Sequence, residues 1–517
     1  MEKKQYVLGV DLGTTSAKSV IMDLQGNAVG IGQLDNPLTY YKNGHAEIDG
    51  PQMIENIYAT TRMAIEQWNG DPKDIIGISF CMFRSTMVMR TADGGFAVPI
   101  SIWQDLRGGE MLDWEAEQIP EKELYDNCGM PNYAANPSAR LFWYMKNDPE
   151  AYARTTDIHT MQGFLTKAYG ADDYYDDLTC SPYLQMNGHD FEYKKELCDA
   201  FGVDIEKLAP LKKSLEIIGH VTEEVAAKTG LAVGTPLVMG TGDQQCGTLG
   251  TGVVDSTIGY TCGGTAGLSI VNSDEFIRDP NGKCYVLGTP AGQWCIEGLS
   301  NNAGSAYKWV KQVMCTSLAV RAAEEGKDIY DLMSELATTS GVGAHGVMFL
   351  NYLSGATTPN NNVNARGCFL GMTMATDKAD FIRAALEGVV FDLKDMFDAI
   401  LDAGVKDFDV VRTTGGLARS DLFNQIQADV YNKAVETVAV EEGTGIGCGI
   451  MAAVGVGAYP DLKTAAENMV KVVKRYEPIP ENVEKYKVIY QAWRQAYQSI
   501  NAGGTFDDLA KIQKMTQ

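Results

Sequence analysis

Histidine is scarce in this chain: five residues in 517, widely spaced. No cluster of them reads as a zinc site, whose ligands typically recur at short separations. Cysteine is more frequent, but the eleven are scattered without a CxxC pair, and an odd number leaves at least one unpaired. That pattern predicts reduced, mostly buried thiols in a reducing cytoplasm rather than a disulfide framework. Positive charge is in deficit, with 43 Lys and Arg against 67 Asp and Glu and a net charge of −24. A general nucleic-acid binder shows a basic face, so nucleic acid is not expected as a partner. Phosphate ligands stay open, because backbone N–H groups and Mg²⁺ hold them without basic side chains. Long apolar runs are missing too. None reaches the ~18 residues a membrane span requires. The start, MEKKQYVLGVDLG, has no long apolar segment and no small-residue cleavage site. Neither a membrane association nor a signal peptide is expected.

What is present is length and glycine. A chain of 517 residues exceeds one ordinary core, which predicts two or more domains. The rest is organised around VMGTGDQQCGTLGTG, residues 238 to 252. An apolar run from Pro236 to Met239 leads into five glycines, among which stands one acid, Asp243, followed by Gln244 and Gln245. Glycines let a backbone turn tightly and approach a ligand closely. A carboxylate there can accept a proton, coordinate a metal or simply cap the next helix.

Residues 6 to 33 read as three strands joined by two turns. The first turn, Asp11-Leu12-Gly13-Thr14-Thr15-Ser16, puts a carboxylate at a strand end, then glycine and hydroxyls. It suits an anion nest beside a Mg²⁺-holding acid, or an ordinary hairpin. Residues 53 to 68 follow a helical period, Ile75 to Cys81 a strand, and a hairpin turns at 92–95. In SIWQDLRGG, residues 101 to 109, Trp103, Asp105 and Arg107 alternate, so on a strand they share one face. An aromatic, an acid and a base so grouped suit a polyhydroxylated ligand, or form a surface ion pair beside a core Trp. Residues 137 to 153 predict a helix closed by an Asn-Asp-Pro stop.

The second half opens with an echo of the first. At an offset of 250, Gly9 meets Gly259, Gly13 meets Gly263, Thr15 meets Thr265 and Ser19 meets Ser269, while Thr261 replaces Asp11. Two similar loops, one with an acid, suggest two domains gripping one polyphosphate. Residues 380 to 401 predict a long amphipathic helix. A strand from Asp409 to Arg412 then enters Thr413-Thr414-Gly415-Gly416-Leu417-Ala418-Arg419-Ser420, a turn that fits under a nucleotide base. The stripe Val483, Tyr486, Tyr490, Trp493 and Tyr497 reads as core.

In order, DLGTTSAK, WQDLR, GDQQC, GGT and GGLARS resemble the FGGY family of carbohydrate kinases, best known for xylulokinases and glycerol kinases. The resemblance covers nearly the whole chain. Its most specific piece is GCFLGMTMATDKADFIRAALE, residues 367 to 387; Arg140 stands where the family usually has Lys. It implies an α/β fold of two ribonuclease-H-like (actin/hexokinase-type) domains with a cleft between them, 1–252 for sugar and 253–517 for nucleotide. Asp243 matches the catalytic base. Asp11 matches the acid that places Mg²⁺, with Asp243 as a second ligand. Gly13, Thr14 and Thr15 match the first phosphate loop, and Gly264 and Thr265 the second. Gly304, Lys308, Gly415, Gly416 and Ser420 match nucleotide contacts. Arg84, Trp103, Asp105, Asp243 and Gln244 fall in the substrate segments. Ser85 replaces the Glu of glycerol kinases, and Cys81-Met82-Phe83 the Gln-Met-His of xylulokinases. The expected activity is ATP-dependent phosphorylation of a small sugar, first a pentulose such as xylulose. A polyol or sugar acid (glycerol, erythritol, gluconate) is the alternative acceptor. A non-kinase ATPase or a sugar-binding regulator on the same fold is the rival. A homodimer is the family-level expectation.

Overall fold

Two mixed sheets, wired alike save for one added edge strand in the second, carry the chain, as seen in a computed structural model that describes residues 4–439 and 443–516. In the first, the mostly apolar run YVLGVDL, buried on both faces, forms β1 (Tyr6–Leu12) and turns at 13–15 into β2 (Ser16–Asp23) and then β3 (Ala28–Asp35). Helix α1 (Gly50–Trp68) follows, capped by Asp49, whose carboxylate accepts from the Gln52 N–H, and closed by Asn69 in the left-handed region. The cap satisfies one of the orphan donors of the first turn. β4 (Ile75–Met82) returns parallel to β1, and β5 (Ile217–His220) and β6 (Pro236–Gly242) complete the order β5-β6-β4-β1-β2-β3. α2 (Asp243–Gly250) leaves β6 directly.

The register explains why distant acids meet. Leu12 pairs with Met82 across β1 and β4, and Met82 pairs with Gly242 across β4 and β6. Three parallel strands thus end on one line, where ligands of α/β sheets bind. The next residues after those ends are Gly13, Phe83 followed by Arg84, and Asp243.

The second sheet contains β7 (Ile258–Gly263), β8 (Gly267–Ser273), β9 (Tyr285–Gly288) and β10 (Trp294–Ser300). After α3 (Gly304–Met314) and α4 (Lys378–Asp402) come β11 (Val410–Thr414), α5 (Asp421–Tyr431), β12 (Ala434–Val438), α6 (Gly443–Gly455), β13 (Val472–Tyr476) and α7 (Pro480–Ala502). The order is β9-β10-β8-β7-β11-β12-β13. As β1 is antiparallel to β2 and parallel to β4, so β7 is antiparallel to β8 and parallel to β11. The second hairpin closes one residue later: Val10 faces Ser19, but Thr261 rather than Tyr260 faces Ser269.

The FGGY-like segment 367–387 enters α4, which starts with a capping box of Asp377 and Asp380. Inside, Arg383 donates to Glu387 at 2.8 Å and to the Tyr486 hydroxyl at 2.8 Å, and that hydroxyl donates to Glu387 at 2.7 Å. This buried triad ties α4 to α7, so the segment's charges here serve the fold. The α7 stripe is buried as expected, and Trp493 donates to the Phe349 carbonyl at 2.8 Å.

α6, from the second half of the chain, packs against the first sheet, on β1, β4 and α2. Glycines allow the approach: a Cβ on Gly250 would lie 1.9 Å from the Gly443 carbonyl oxygen. The predicted 92–95 turn forms, but the main partner of Val88–Thr91 is Thr155–His159. The helix predicted in 137–153 closes at its Asn-Asp-Pro stop as expected: Pro137–Asn147 ends there, and a second helix, Pro149–Arg154, starts at the proline, which fits a first helical turn.

Candidate active site

Asp243 is the first residue of α2, and Gly242 holds the cap position, so Asp243 is not spent as a side-chain cap. Its carboxylate accepts from the Gln244 N–H at 2.9 Å and lies 3.5 Å from the Arg84 Nε. Burial pushes its pKa up to about 6; Arg84 opposes the rise, and the charges of Asp11 and Glu297 add to it. Arg84 spends its other two nitrogens on Glu297 of β10, as a bidentate pair at 2.8 and 2.9 Å. Glu297 is 1% exposed, so this pair crosses the cleft in a dry setting.

These groups open on a cavity of about 220 Å³. Trp103, 43% exposed, stands on its wall and donates to the Thr14 hydroxyl at 3.1 Å. Gln244, Tyr183 and Tyr285 also line it.

The WQDLR segment is not a strand. The strand Ile100–Ser101 stops before it, and Arg107–Met111 is a 3₁₀-helix. Asp105 is therefore turned inward and fully buried. It accepts from Arg107 Nε at 2.8 Å and from the Ala46 N–H at 2.8 Å. Burial alone raises a carboxyl, but these donors hold Asp105 below the usual carboxylate range. The alternation of Trp103 and Asp105 thus puts one on the cavity wall and the other in the core, contrary to the shared face expected of a strand.

Ser85 adopts φ 62°, a left-handed conformation that costs of order 1–3 kcal/mol outside glycine. Its hydroxyl donates to the Ala135 carbonyl, and Arg140 donates to the carbonyls of both Ser85 and Ala135. Arg140 is fully buried, which pulls its pKa down to about 10 and leaves it charged at neutral pH. It clamps the loop that carries Arg84.

The glycine turns border this cavity, with Thr14 and Ala266 on its wall. Asp11 accepts from the Thr444 hydroxyl at the start of α6. Gly13 and Thr15 are anchored through their carbonyls by Asn36, at 2.8 Å each, which leaves their N–H groups out of that contact. Gly304 donates its N–H to Gly264 at 2.7 Å, so it shapes the second loop with that group. Thr265 is exposed on this loop, and Lys308 is exposed on α3. Gly415 sits at φ 88°, and a Cβ there would lie 2.5 Å from Gly263 C and Gly264 N. Gly416 faces open space, and Ser420 caps α5.

The model of the FGGY family of carbohydrate kinases, N-terminal domain, matches residues 6–250, and that of the C-terminal domain matches residues 259–456. The chain belongs to the FGGY family of carbohydrate kinases. It is an ATP-using phosphotransferase with an alcohol acceptor, on the two-domain actin/hexokinase-type fold. The xylulose kinase of Lactococcus lactis subsp. lactis is 26% identical over 504 residues, 96% of this chain and 97% of that protein. The gluconokinase of Bacillus subtilis is 26% identical over 484 residues, 94% of each. The ligand-bound xylulose kinase structure from Lactobacillus acidophilus superposes with a TM-score of 0.89 at 22% identity, covering 96% and 99%. At that identity the superposition speaks for the fold alone.

Sequence reasoning about this FGGY kinase missed Glu297, Tyr183, Tyr285 and Thr444. Glu297 carried a signal, as a lone acid in the apolar strand WCIEGLS that has to find a buried partner. The tyrosines and Thr444 carried none.

Proposed function

We propose that this kinase transfers the γ-phosphate of ATP to a terminal hydroxyl of a small neutral open-chain sugar, a pentulose such as xylulose, with Asp243 as general base. The observation that carries the acceptor class is the pairing of Arg84 with two acids. Among the described residues lining the cavity it is the sole cation, and Glu297 and Asp243 occupy its guanidinium. No cation is left to pair with a substrate carboxylate, and two acids face one base. A neutral polyhydroxylated chain loses nothing there: Trp103 covers its C–H faces, and the charged and tyrosine groups bond its hydroxyls.

In phosphoryl transfer the protein mostly positions groups and meets charge. Asp243, with a pKa of about 6, is ionised at neutral pH and basic enough to take the hydroxyl proton as the oxygen attacks in line. Gln244 orients that carboxylate through its N–H. Asp11 and Asp243 fit a Mg²⁺ ion, because the charge of Asp11 raises the pKa of Asp243, a repulsion that a divalent cation relieves. Bound there, Mg²⁺ would offset charge on the phosphate oxygens. The 13–15 and 264–265 turns meet the phosphates through backbone N–H groups and the hydroxyls of Thr14, Thr15 and Thr265, with Lys308 as the nearby cation. Gly415 and Gly416 present flat backbone to the adenosine, with Ser420 beside them. In this reading residues 1–252 hold the sugar and 253–517 the nucleotide, while Glu297 reaches across from the second part.

A coupled ADP-release assay with Mg·ATP against xylulose, ribulose, glycerol, erythritol, gluconate and buffer tests this. Strong stimulation by a pentulose is expected. Gluconate as the best acceptor would overturn the neutral-substrate reading, and equal release in buffer would overturn the acceptor reading altogether.

A further inference from the structure

Behind the cleft, three thiols from three elements converge. The Sγ atoms of Cys81 on β4, Cys246 on α2 and Cys448 on α6 all lie within 4.8 Å of one another, and all three residues are buried. Cys246 and Cys448 are 3.8 Å apart. We propose that these three cysteines bind one thiophilic divalent cation of the zinc class.

The spacing carries the proposal. Three thiolates, each ~2.3 Å from one ion, stand roughly 4 Å from each other. The observed separations need only small side-chain adjustments to reach that. The frame is rigid: Cys81 is in register with Asp11 on one side and Thr241 on the other. A Cβ on Gly447 would lie 2.0 Å from the Cys246 carbonyl oxygen, so α2 and α6 are in glycine-mediated contact. Sulfur donors select a soft cation and discriminate against Mg²⁺, which prefers oxygen. Binding exchanges three thiol protons, released to solvent, for three sulfur–metal bonds, leaving a net charge of −1. Cys246 lies in the first turn of α2, where the macrodipole favours negative charge. Because the thiols are buried, uptake is slow and the bound ion staples β4, α2 and α6 together.

The test uses the full-length protein, purified under reducing conditions and equilibrated with Zn²⁺ or Cd²⁺ before desalting. One equivalent of metal per chain is expected, with a cadmium–thiolate charge-transfer band in the ultraviolet. Cys246→Ala and Cys448→Ala should weaken cadmium binding by more than about 100-fold, beyond what changes outside the coordination sphere cause. Cys368→Ser, at a thiol elsewhere, should leave it unchanged. Should the cluster variants fail to fold, X-ray absorption of the zinc-loaded parent decides: three sulfur neighbours support the site. A nitrogen and oxygen shell, a single sulfur, or no retained metal overturns it.

Discussion

Glu297→Gln isolates the electrostatics of the acceptor cavity. The substitution keeps shape but removes the charge that neutralises Arg84. Glutamine accepts one hydrogen bond in place of the carboxylate's two, and Asp243 remains 3.5 Å from the guanidinium. An orphaned buried charge costs ~3–5 kcal/mol. Here only one charge-assisted bond goes, so the loss of stability is about 1.5–3 kcal/mol, read as a lower melting midpoint. The same freed donor can pair with a substrate carboxylate. At ~1.4 kcal/mol per tenfold, a charge-assisted bond of that strength shifts the gluconate-to-xylulose ratio of kcat/KM upward by roughly 10- to 100-fold. The pH profile gives a second sign. Glu297 raises the pKa of Asp243 and Arg84 lowers it. Removing the first and freeing the second both lower it, so the acidic limb of kcat/KM moves below its parental position near pH 6. The assay is ADP release against both acceptors across pH, beside thermal melts. An unchanged acceptor ratio together with an unmoved or raised acidic limb would refute the reasoning that Glu297 holds Arg84 away from the substrate.

Asp243→Asn should reduce transfer by about 10²–10⁴-fold while ATP affinity, measured by titration, stays within a few-fold; turnover near the parent's would remove Asp243 as base. Asp11→Ala should raise the Mg²⁺ concentration for half-maximal rate, and an unchanged Mg²⁺ dependence would count against its metal role. Gly415→Ala forces a Cβ to 2.5 Å from the backbone of the neighbouring loop at φ 88°. It should cost about 1–3 kcal/mol and raise the KM for ATP more than that for the sugar; equal effects on both would place the turn outside the nucleotide site.

What the sequence made legible was what backbone chemistry dictates. A turn after a parallel strand must be tight, so glycines and hydroxyls mark it, as at 13–15, 264–265 and 415–416. An acid among glycines at a strand end, as at Asp11 and Asp243, has no apolar surface to cover and stands out. The internal offset of 250 disclosed two sheets wired alike, although the second hairpin slips by one residue. What stayed hidden depends on contacts across long sequence separations. Arg84 and Glu297 are 213 residues apart. Thr444 reaches Asp11 only because α6 crosses back to the first sheet, and no local pattern announces that crossing. Asp105 misled for the converse reason: alternation was read on an assumed strand, where the chain turns and buries the acid against Arg107.

The same division explains why kinase chemistry is plain in this chain and the acceptor is not. Every family member must hold phosphates at strand ends, and the backbone of a glycine turn can do that in one way. The acceptor wall is made of side chains on strands and loops, and a strand tolerates many of them without changing its path. Xylulose kinase and gluconokinase relatives are equally similar to this chain, at 26% identity. Overall similarity therefore does not choose between a ketose and a sugar acid. In the proposed reading charge balance in the cavity makes that choice, because a carboxylate brought beside Asp243 and Glu297 has to find a cation. Arg84, the sole cation among the described residues lining the cavity, is already paired with Glu297 at 2.8 and 2.9 Å.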